Sequence, residues 1–231
     1  MTNFRMLSVV IPAHNEAGTI AEIVKRAQAV SVAPLTMEII VVDNNSKDGT
    51  GAVARGIPGV RVLEERMPGK GAAVKRGFRE ARGDILLIQD ADLEYDPRDY
   101  PAVIAPILAG KTEMVLGVRA QERHNHWLIY YLGGLGNFAI TTLTNWLYWN
   151  NAGEYEGCYK AFTKALVDSV EVKTNNFDFD NELVCKLLKR GCRSVDVPIR
   201  YYPRDYAGGK KINWRHGFLI LWTILKYRFV D

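Results

Sequence analysis

Cysteine is scarce in this 231-residue chain, which has only Cys158, Cys185 and Cys192. No two form Cys-x-x-Cys and the three cannot all pair, so a complete disulfide framework is excluded. The simplest expectation is a reducing compartment, with the thiols serving as small buried apolar side chains. Blocks of lysine and arginine are missing too. A net charge of +4 admits an anionic substrate or an anionic membrane surface, but no basic arm points to nucleic acid, and none is expected as a partner. No secretory leader is expected, because Leu7–Ala13 runs straight into His14-Asn15-Glu16 rather than a cleavage site. The expectation is a cytoplasmic protein. Repeats, low-complexity stretches and linkers are absent, and the length suits one domain, 1–231, with a generous core.

Apolar runs alternate with helical patterns. Leu7–Ile11, Ile39–Val42, Val60–Leu63, Ile85–Ile88 and Met114–Gly117 read as strands. Ala17–Val30, Thr50–Arg55, Gly71–Ala81 and Pro101–Leu108 read as helices. Further on, a helix near Asn181–Arg190 and a strand near Val195–Ile199 are expected. This alternation predicts an α/β fold with a mostly parallel sheet flanked by helices and a ligand site at the carboxyl ends of the strands.

The polar motifs fall where that rule wants them. Ile85-Leu-Leu-Ile88 is followed by Gln89, then Asp90-Ala91-Asp92-Leu93-Glu94. On an extended backbone, residues i and i+2 point the same way, so Asp90 and Asp92 can converge on one cation. Hard carboxylate oxygens suit Mg²⁺ or Mn²⁺, whose shell is completed by phosphate and water, as on the diphosphate of a nucleotide-sugar. A strand end turning into an acidic solvated loop is the alternative. Asn15-Glu16 before a helix offers either amides for a nucleotide or a plain cap with Asn15 as the cap residue. Asp43, ending the second strand, can accept hydrogen bonds from a base or ribose, or serve a turn. Lys70 in Gly69-Lys70-Gly71 can meet phosphate or sit solvated. That segment lacks the third glycine of a dinucleotide fingerprint, and no Gly-Lys-Ser/Thr phosphate loop occurs. His124 and His126 share a metal-pair spacing but have no third ligand nearby, and read as surface residues.

The ordered set Ser8-Val-Val-Ile-Pro12-Ala-His-Asn15-Glu16, Val-Val-Asp43, Asp48-Gly49-Thr50, Gly69-Lys70-Gly71-Ala72 and Asp90-Ala91-Asp92 resembles the family 2 glycosyltransferases. Within them it is similar to the polyprenyl-phosphate (dolichol-phosphate) hexosyltransferases, over Leu7 to about Arg204. The resemblance implies a GT-A fold, with a nucleotide-sugar half over 1–120 and an acceptor half over 121–231. It implies inverting transfer of a hexose to polyprenyl phosphate with Mg²⁺ or Mn²⁺ as cofactor. Pro12, Ala13, Asn15 and Glu16 would then line the nucleotide pocket, with Asp43 on the base and Lys70 near the nucleotide. Asp90, Ala91 and Asp92 would handle the diphosphate, and Asp90, Asp92 and Glu94 the metal. Asp92, Arg119, Arg204 and Lys210 would form the catalytic set, the three basic residues meeting donor or acceptor phosphate. Many relatives carry a second acid where this chain has Asn44, which leaves the base and donor open. Glu182 stands near a position where relatives acting on hydroxyl acceptors keep a base, although a helix role comes first. Some relatives also carry transmembrane helices after the catalytic domain, and this chain ends at Asp231 without one. The alternatives are a family 2 enzyme glycosylating a hydroxyl and a non-catalytic nucleotide-binding module. A nucleotidyltransferase lacks its glycine- and arginine-rich signature here.

A lipid acceptor requires bilayer contact. Asn125–Gly153 has no charged residue and is crowded with Trp127, Tyr130, Tyr131, Phe138, Trp146, Tyr148 and Trp149. Glycine, threonine and asparagine dilute it below the ~20 mostly apolar residues of a span. In the tail, Phe218, Leu221, Trp222, Leu225 and Phe229 follow helical spacing among Lys210, Lys211, Arg215, Lys226 and Arg228. Amphipathic helices lying in the membrane interface are expected. Burial in the core, packing on the sheet, or a contact within a homo-oligomer are the alternatives.

Overall fold

The computed structural model describes residues 4–119, 127–203 and 214–230, and side chains outside 127–135 and 214–216. Seven strands form one sheet: β1 (Met6–Ala13), β2 (Thr36–Asp43), β3 (Val60–Glu64), β4 (Ile85–Ile88), β5 (Met114–Arg119), β6 (Lys160–Thr163) and β7 (Ser194–Ile199). Their order is β3-β2-β1-β4-β6-β5-β7. All pairings are parallel except those of β6, which runs against both β4 and β5. The α/β fold with a mostly parallel sheet expected from the alternation is therefore present, with one reversed strand, not foreseen, inserted.

The buried strands are continuous aliphatic runs, as sheets covered on both faces require. Ile85, Leu86, Leu87 and Ile88 have no exposed surface, and each contributes about 1.5–3 kcal/mol by leaving water. Between the strands lie α1 (Ile20–Gln28), α2 (Thr50–Arg55), α3 (Lys70–Glu80) and α4 (Tyr100–Leu108). The first helix starts three residues later than its pattern suggests. Thr19, not Asn15, is its N-cap, because the Glu16 carbonyl accepts from the Thr19 and Ile20 amides and holds a turn there.

The second half contains α5 (Trp127–Tyr148), α6 (Lys164–Asp168), α7 (Phe179–Lys189) and α8 (Trp214–Phe229). No helix among the described residues is long and apolar enough to cross a membrane. Helix α8 is apolar on two sides. Ile220, Ile224 and Tyr227 face inward with Thr223, which donates to Asp178 at 3.4 Å. The Tyr148 hydroxyl of α5 donates to the Ile224 carbonyl at 2.8 Å. Phe218, Trp222, Leu225 and Phe229 face outward, while Leu221 is half-buried against the core, so most of the stripe seen in the sequence points away from the protein. Phe138, Trp146 and Trp149, on or just after α5, are exposed as well.

Candidate active site

The loops after β1 and β2 meet at the carboxyl edge of the sheet and bind each other. Thr50 Oγ1 accepts from the Glu16 amide at 2.8 Å and donates to Asp48 Oδ1 at 2.5 Å. Asp48 Oδ2 accepts from the Ala17 amide at 3.0 Å. Hydrogen bonds from the Thr50 hydroxyl and the Ala17 amide hold Asp48 down at about 2. Asn15, at φ 54°, donates its amide to Ser46 Oγ at 3.0 Å and accepts from the Lys47 amide at 2.8 Å. Asn15, Glu16 and the Asp48-Gly49-Thr50 motif are thus one cross-linked wall. Pro12 and Ala13 sit at its base, in register with Val42 and Asp43. Asp43 Oδ1 accepts from the Ser46 amide at 3.1 Å. A cavity of about 340 Å³ opens beside it, lined by Asp43, Asn45, Ser46, Glu64, Glu65 and Arg66.

Asn44 does not face that cavity. Its side chain is buried and donates to the Glu65 carbonyl at 2.9 Å and the Met67 carbonyl at 2.6 Å, while accepting from the Gly69 amide at 2.8 Å. Both its N–H donors and its oxygen are used to pin the loop that leads into α3. Behind the loop, Gly69 has φ 119°, a left-handed conformation that favours glycine. A Cβ on Gly71 would lie 2.5 Å from Phe179 Cβ. The Ala72 amide donates to the Asn175 carbonyl at 3.0 Å. The Gly69-Lys70-Gly71 segment is therefore a clamped helix start.

The clamp aims Lys70 at Asp90. Lys70 Nζ lies 2.8 Å from Asp90 Oδ1 and 3.8 Å from Oδ2 of Asp180, in the first turn of α7. Burial opposes both charges of the Lys70–Asp90 pair, but their attraction outweighs it, holding Asp90 below the usual carboxylate range and Lys70 well above its own. Lys160, buried at the head of β6, donates to the Gly157 carbonyl at 2.6 Å and lies 3.9 Å from Asp180. Among the described residues, Oδ1 of Asp180 and Oε1 of Glu156 are buried with no hydrogen-bond partner. The Asp90 amide donates to Cys158 Sγ at 3.1 Å, so this thiol does more than fill space. Cys158, expected from the sequence only as a buried apolar side chain, is indeed buried but also accepts from Asp90, whereas Asp180, Lys160 and Glu156 are not singled out by the sequence. Their only local signal is charge crowded against a short apolar strand.

The acidic motif lies beyond its strand, not on it as the i, i+2 spacing predicts. Strand β4 stops at Ile88, and the chain bends over residues 91–94. Asp92 Oδ1 caps this turn by accepting from the Glu94 amide at 3.1 Å, and Ala91 is buried within it. Among the described residues, no three His, Cys, Asp or Glu side chains are grouped to hold a metal. Asp90, Asp92 and Glu94 are thus not a ready three-carboxylate cage.

Arg119, at the end of β5, is paired with the buried carboxylate of Glu154, its Nε donating at 2.7 Å, and its guanidinium lies 5.0 Å from the Tyr201 ring centre. Asn137 of α5 donates to the same carboxylate at 3.2 Å. Glu182 is fully buried and accepts from Lys186 at 2.8 Å and from the Lys173 and Thr174 amides at 2.9 and 2.8 Å. Its role in the described structure is to hold a helix and a loop. Arg204, Lys210, His124 and His126 lie outside the described residues.

The profile of Glycosyl transferase family 2 matches residues 8–169, well over half of the chain. The chain is 25% identical over 235 residues to the low-salt glycan biosynthesis hexosyltransferase Agl6 of Haloferax volcanii, covering 96% of this chain and 55% of that protein. It is 27% identical over 176 residues to the undecaprenyl-phosphate 4-deoxy-4-formamido-L-arabinose transferase of Aeromonas hydrophila, covering 73% and 52%. It therefore spans about half the length of these two relatives. Among solved structures, glucosyl-3-phosphoglycerate synthase from Mycobacterium tuberculosis with Mn²⁺, UDP and phosphoglyceric acid superposes with a TM-score of 0.75. The identity is 21%, covering 98% of this chain and 80% of that one. That likeness is one of fold, and the fold is GT-A. With its motifs gathered at the carboxyl edge of such a sheet, the chain belongs to glycosyltransferase family 2.

Proposed function

We propose that this enzyme moves a hexose from a nucleoside-diphosphate sugar to the phosphate of a polyprenol, working at a membrane surface. The observation that carries the reading is one molecule holding both a polar donor edge and an outward aromatic face. The relative from Aeromonas is named for an undecaprenyl-phosphate transfer, which supports the same acceptor class. In the proposed reaction, an acceptor phosphate oxygen attacks the anomeric carbon. The bond from that carbon to the diphosphate oxygen breaks on the opposite side, and the configuration inverts. A phosphate monoester, with its second pKa at about 6, is already largely ionised at neutral pH, so no protein base is required. Glu182, engaged by three donors, is not needed in that role. Lys70 meets the donor phosphates, Asp43 faces the nucleoside cavity, and Arg119, Arg204 and Lys210 supply fixed positive charge to phosphate. Arg119 starts from Glu154, with which phosphate must compete.

Asp90 and Asp92 offer hard oxygens on one turn, a donor set that fits a Mg²⁺ or Mn²⁺ ion keeping most of its shell for phosphate and water. Bound there, the ion would neutralise charge on the departing diphosphate. The test is incubation of the purified protein with Mn²⁺, radiolabelled UDP- and GDP-hexoses and a polyprenyl phosphate, counting label extracted into organic solvent. Label from one donor, abolished by a chelator and lowered about 10²-fold or more by Asp92→Asn, is the expected result. Donor hydrolysis without lipid label would overturn the acceptor and favour a hydroxyl.

The membrane part has its own test. Trp149, just after α5, and Trp222 of α8 are 78% and 64% exposed, and the last turn of α8 carries Lys226 and Arg228. Aromatic and basic residues together suit an anionic interface. Replacing both tryptophans by glutamate should cut sedimentation with anionic vesicles about tenfold or more and leave the melting temperature unchanged. Undiminished vesicle binding would sink the docking face.

A further inference from the structure

We propose that Lys70 is a movable counter-charge with two carboxylate perches, Asp90 and Asp180, and that its position makes cation binding and nucleotide binding depend on each other. The proposal rests on the donor-site reading above. A carboxylate already paired at 2.8 Å with an ammonium binds a second cation poorly, because the two positive charges compete for the same oxygens. As found here, Asp90 is closed to metal by its own lysine.

The lysine has somewhere to go. Asp180 Oδ2 lies 3.8 Å from Lys70 Nζ, too long for a hydrogen bond, and Oδ1 of the same carboxylate is buried with no partner among the described residues. A buried carboxylate oxygen lacking a donor is costly, so a second donor there would be accepted readily. Lys160 does not fill the role. It is 3.9 Å away and gives its hydrogen bond to the Gly157 carbonyl. The backbone under Lys70 is clamped by Asn44 and Asn175, so the exchange needs only side-chain rotation. Donor diphosphate offers Lys70 a third partner. When Lys70 turns towards phosphate or Asp180, Asp90 is released to the cation, and the cation in turn favours the diphosphate. By thermodynamic linkage, each ligand then raises the affinity of the other by the same factor.

The test measures Mn²⁺ binding rather than turnover, by electron paramagnetic resonance of the free ion, with and without UDP or GDP. Wild-type protein should bind Mn²⁺ weakly alone and at least tenfold tighter with saturating nucleotide. Lys70→Met should bind Mn²⁺ alone at least tenfold tighter than wild type while binding nucleotide more weakly. Asp180→Asn, which removes the second perch, should bind Mn²⁺ more weakly than wild type. Lys160→Met removes a cation from the same cluster without freeing Asp90, so its gain should stay within about threefold. Equal gains from the two lysine variants would show general charge rather than an exchange and overturn the proposal, as would no gain in Lys70→Met. Melting curves confirm that each variant is folded. If wild type binds neither nucleotide with or without Mn²⁺, the donor reading itself falls. If nucleotide binds and the variants do not behave as stated, only the exchange falls.

Discussion

Replacing Glu182 by glutamine should remove about 3 kcal/mol of stability at neutral pH, because it leaves Lys186 buried without its anion. For a chain of this size that is a fall in melting temperature on the order of 10 °C. The effect has a pH signature. Burial opposes the charge on Glu182, but hydrogen bonds from Lys186 and from the Lys173 and Thr174 amides outweigh it and bring the pKa down to about 2. A carboxylate depressed in the folded state contributes stability fully above its unfolded value, about 4.3, and loses it as pH falls through the folded value. The gap between wild type and variant should be full at pH 7 and shrink steadily from about pH 4.3 towards pH 2. Urea unfolding at pH 7, 4 and 3 measures it. A gap that does not change with pH would mean that shape, not charge, is what glutamine disturbs.

Asn44→Asp is the second large effect, although the change swaps one atom group for another of the same size. Aspartate cannot donate to the Glu65 and Met67 carbonyls, which the amide now reaches at 2.9 and 2.6 Å. It places carboxylate oxygen against carbonyl oxygen in a buried site. Two lost donors and an unmatched charge should cost about 2–4 kcal/mol in stability. The loop from Glu65 to Gly69 should then shift and carry Lys70 with it, weakening nucleoside diphosphate binding roughly tenfold. Calorimetric titration with UDP and GDP beside a melting curve checks both. A variant that keeps its affinity but changes its preference between UDP and GDP would show that position 44 reads the base, contrary to its buried setting.

The periodic parts of this fold were legible because their physics is local. Four aliphatic residues between polar ends marked Ile85–Ile88 to the residue, and Thr50–Arg55 was bounded as well. Strand β6 was not legible, since four residues beginning with lysine carry no usable period. The spacing of Asp90 and Asp92 identified the right turn for the wrong reason, because the strand ends before them. Asn44 was noticed as a departure from an acid, yet its function lies in two carbonyls more than twenty residues away, which no spacing reveals. Asp180 sits ninety residues from Asp90, and only the fold brings both to Lys70.

The reversed strand has a practical meaning for anyone wishing to redesign this enzyme. Because β6 runs against its neighbours, the segment that enters it, Glu154 to Tyr159, arrives at the same rim that the parallel strands leave. One side of the site is thus written by exits and the other by an entrance, and the two belong to separate stretches of gene. A library confined to the entrance segment can vary the far wall while the cross-linked loops after β1 and β2 stay as they are.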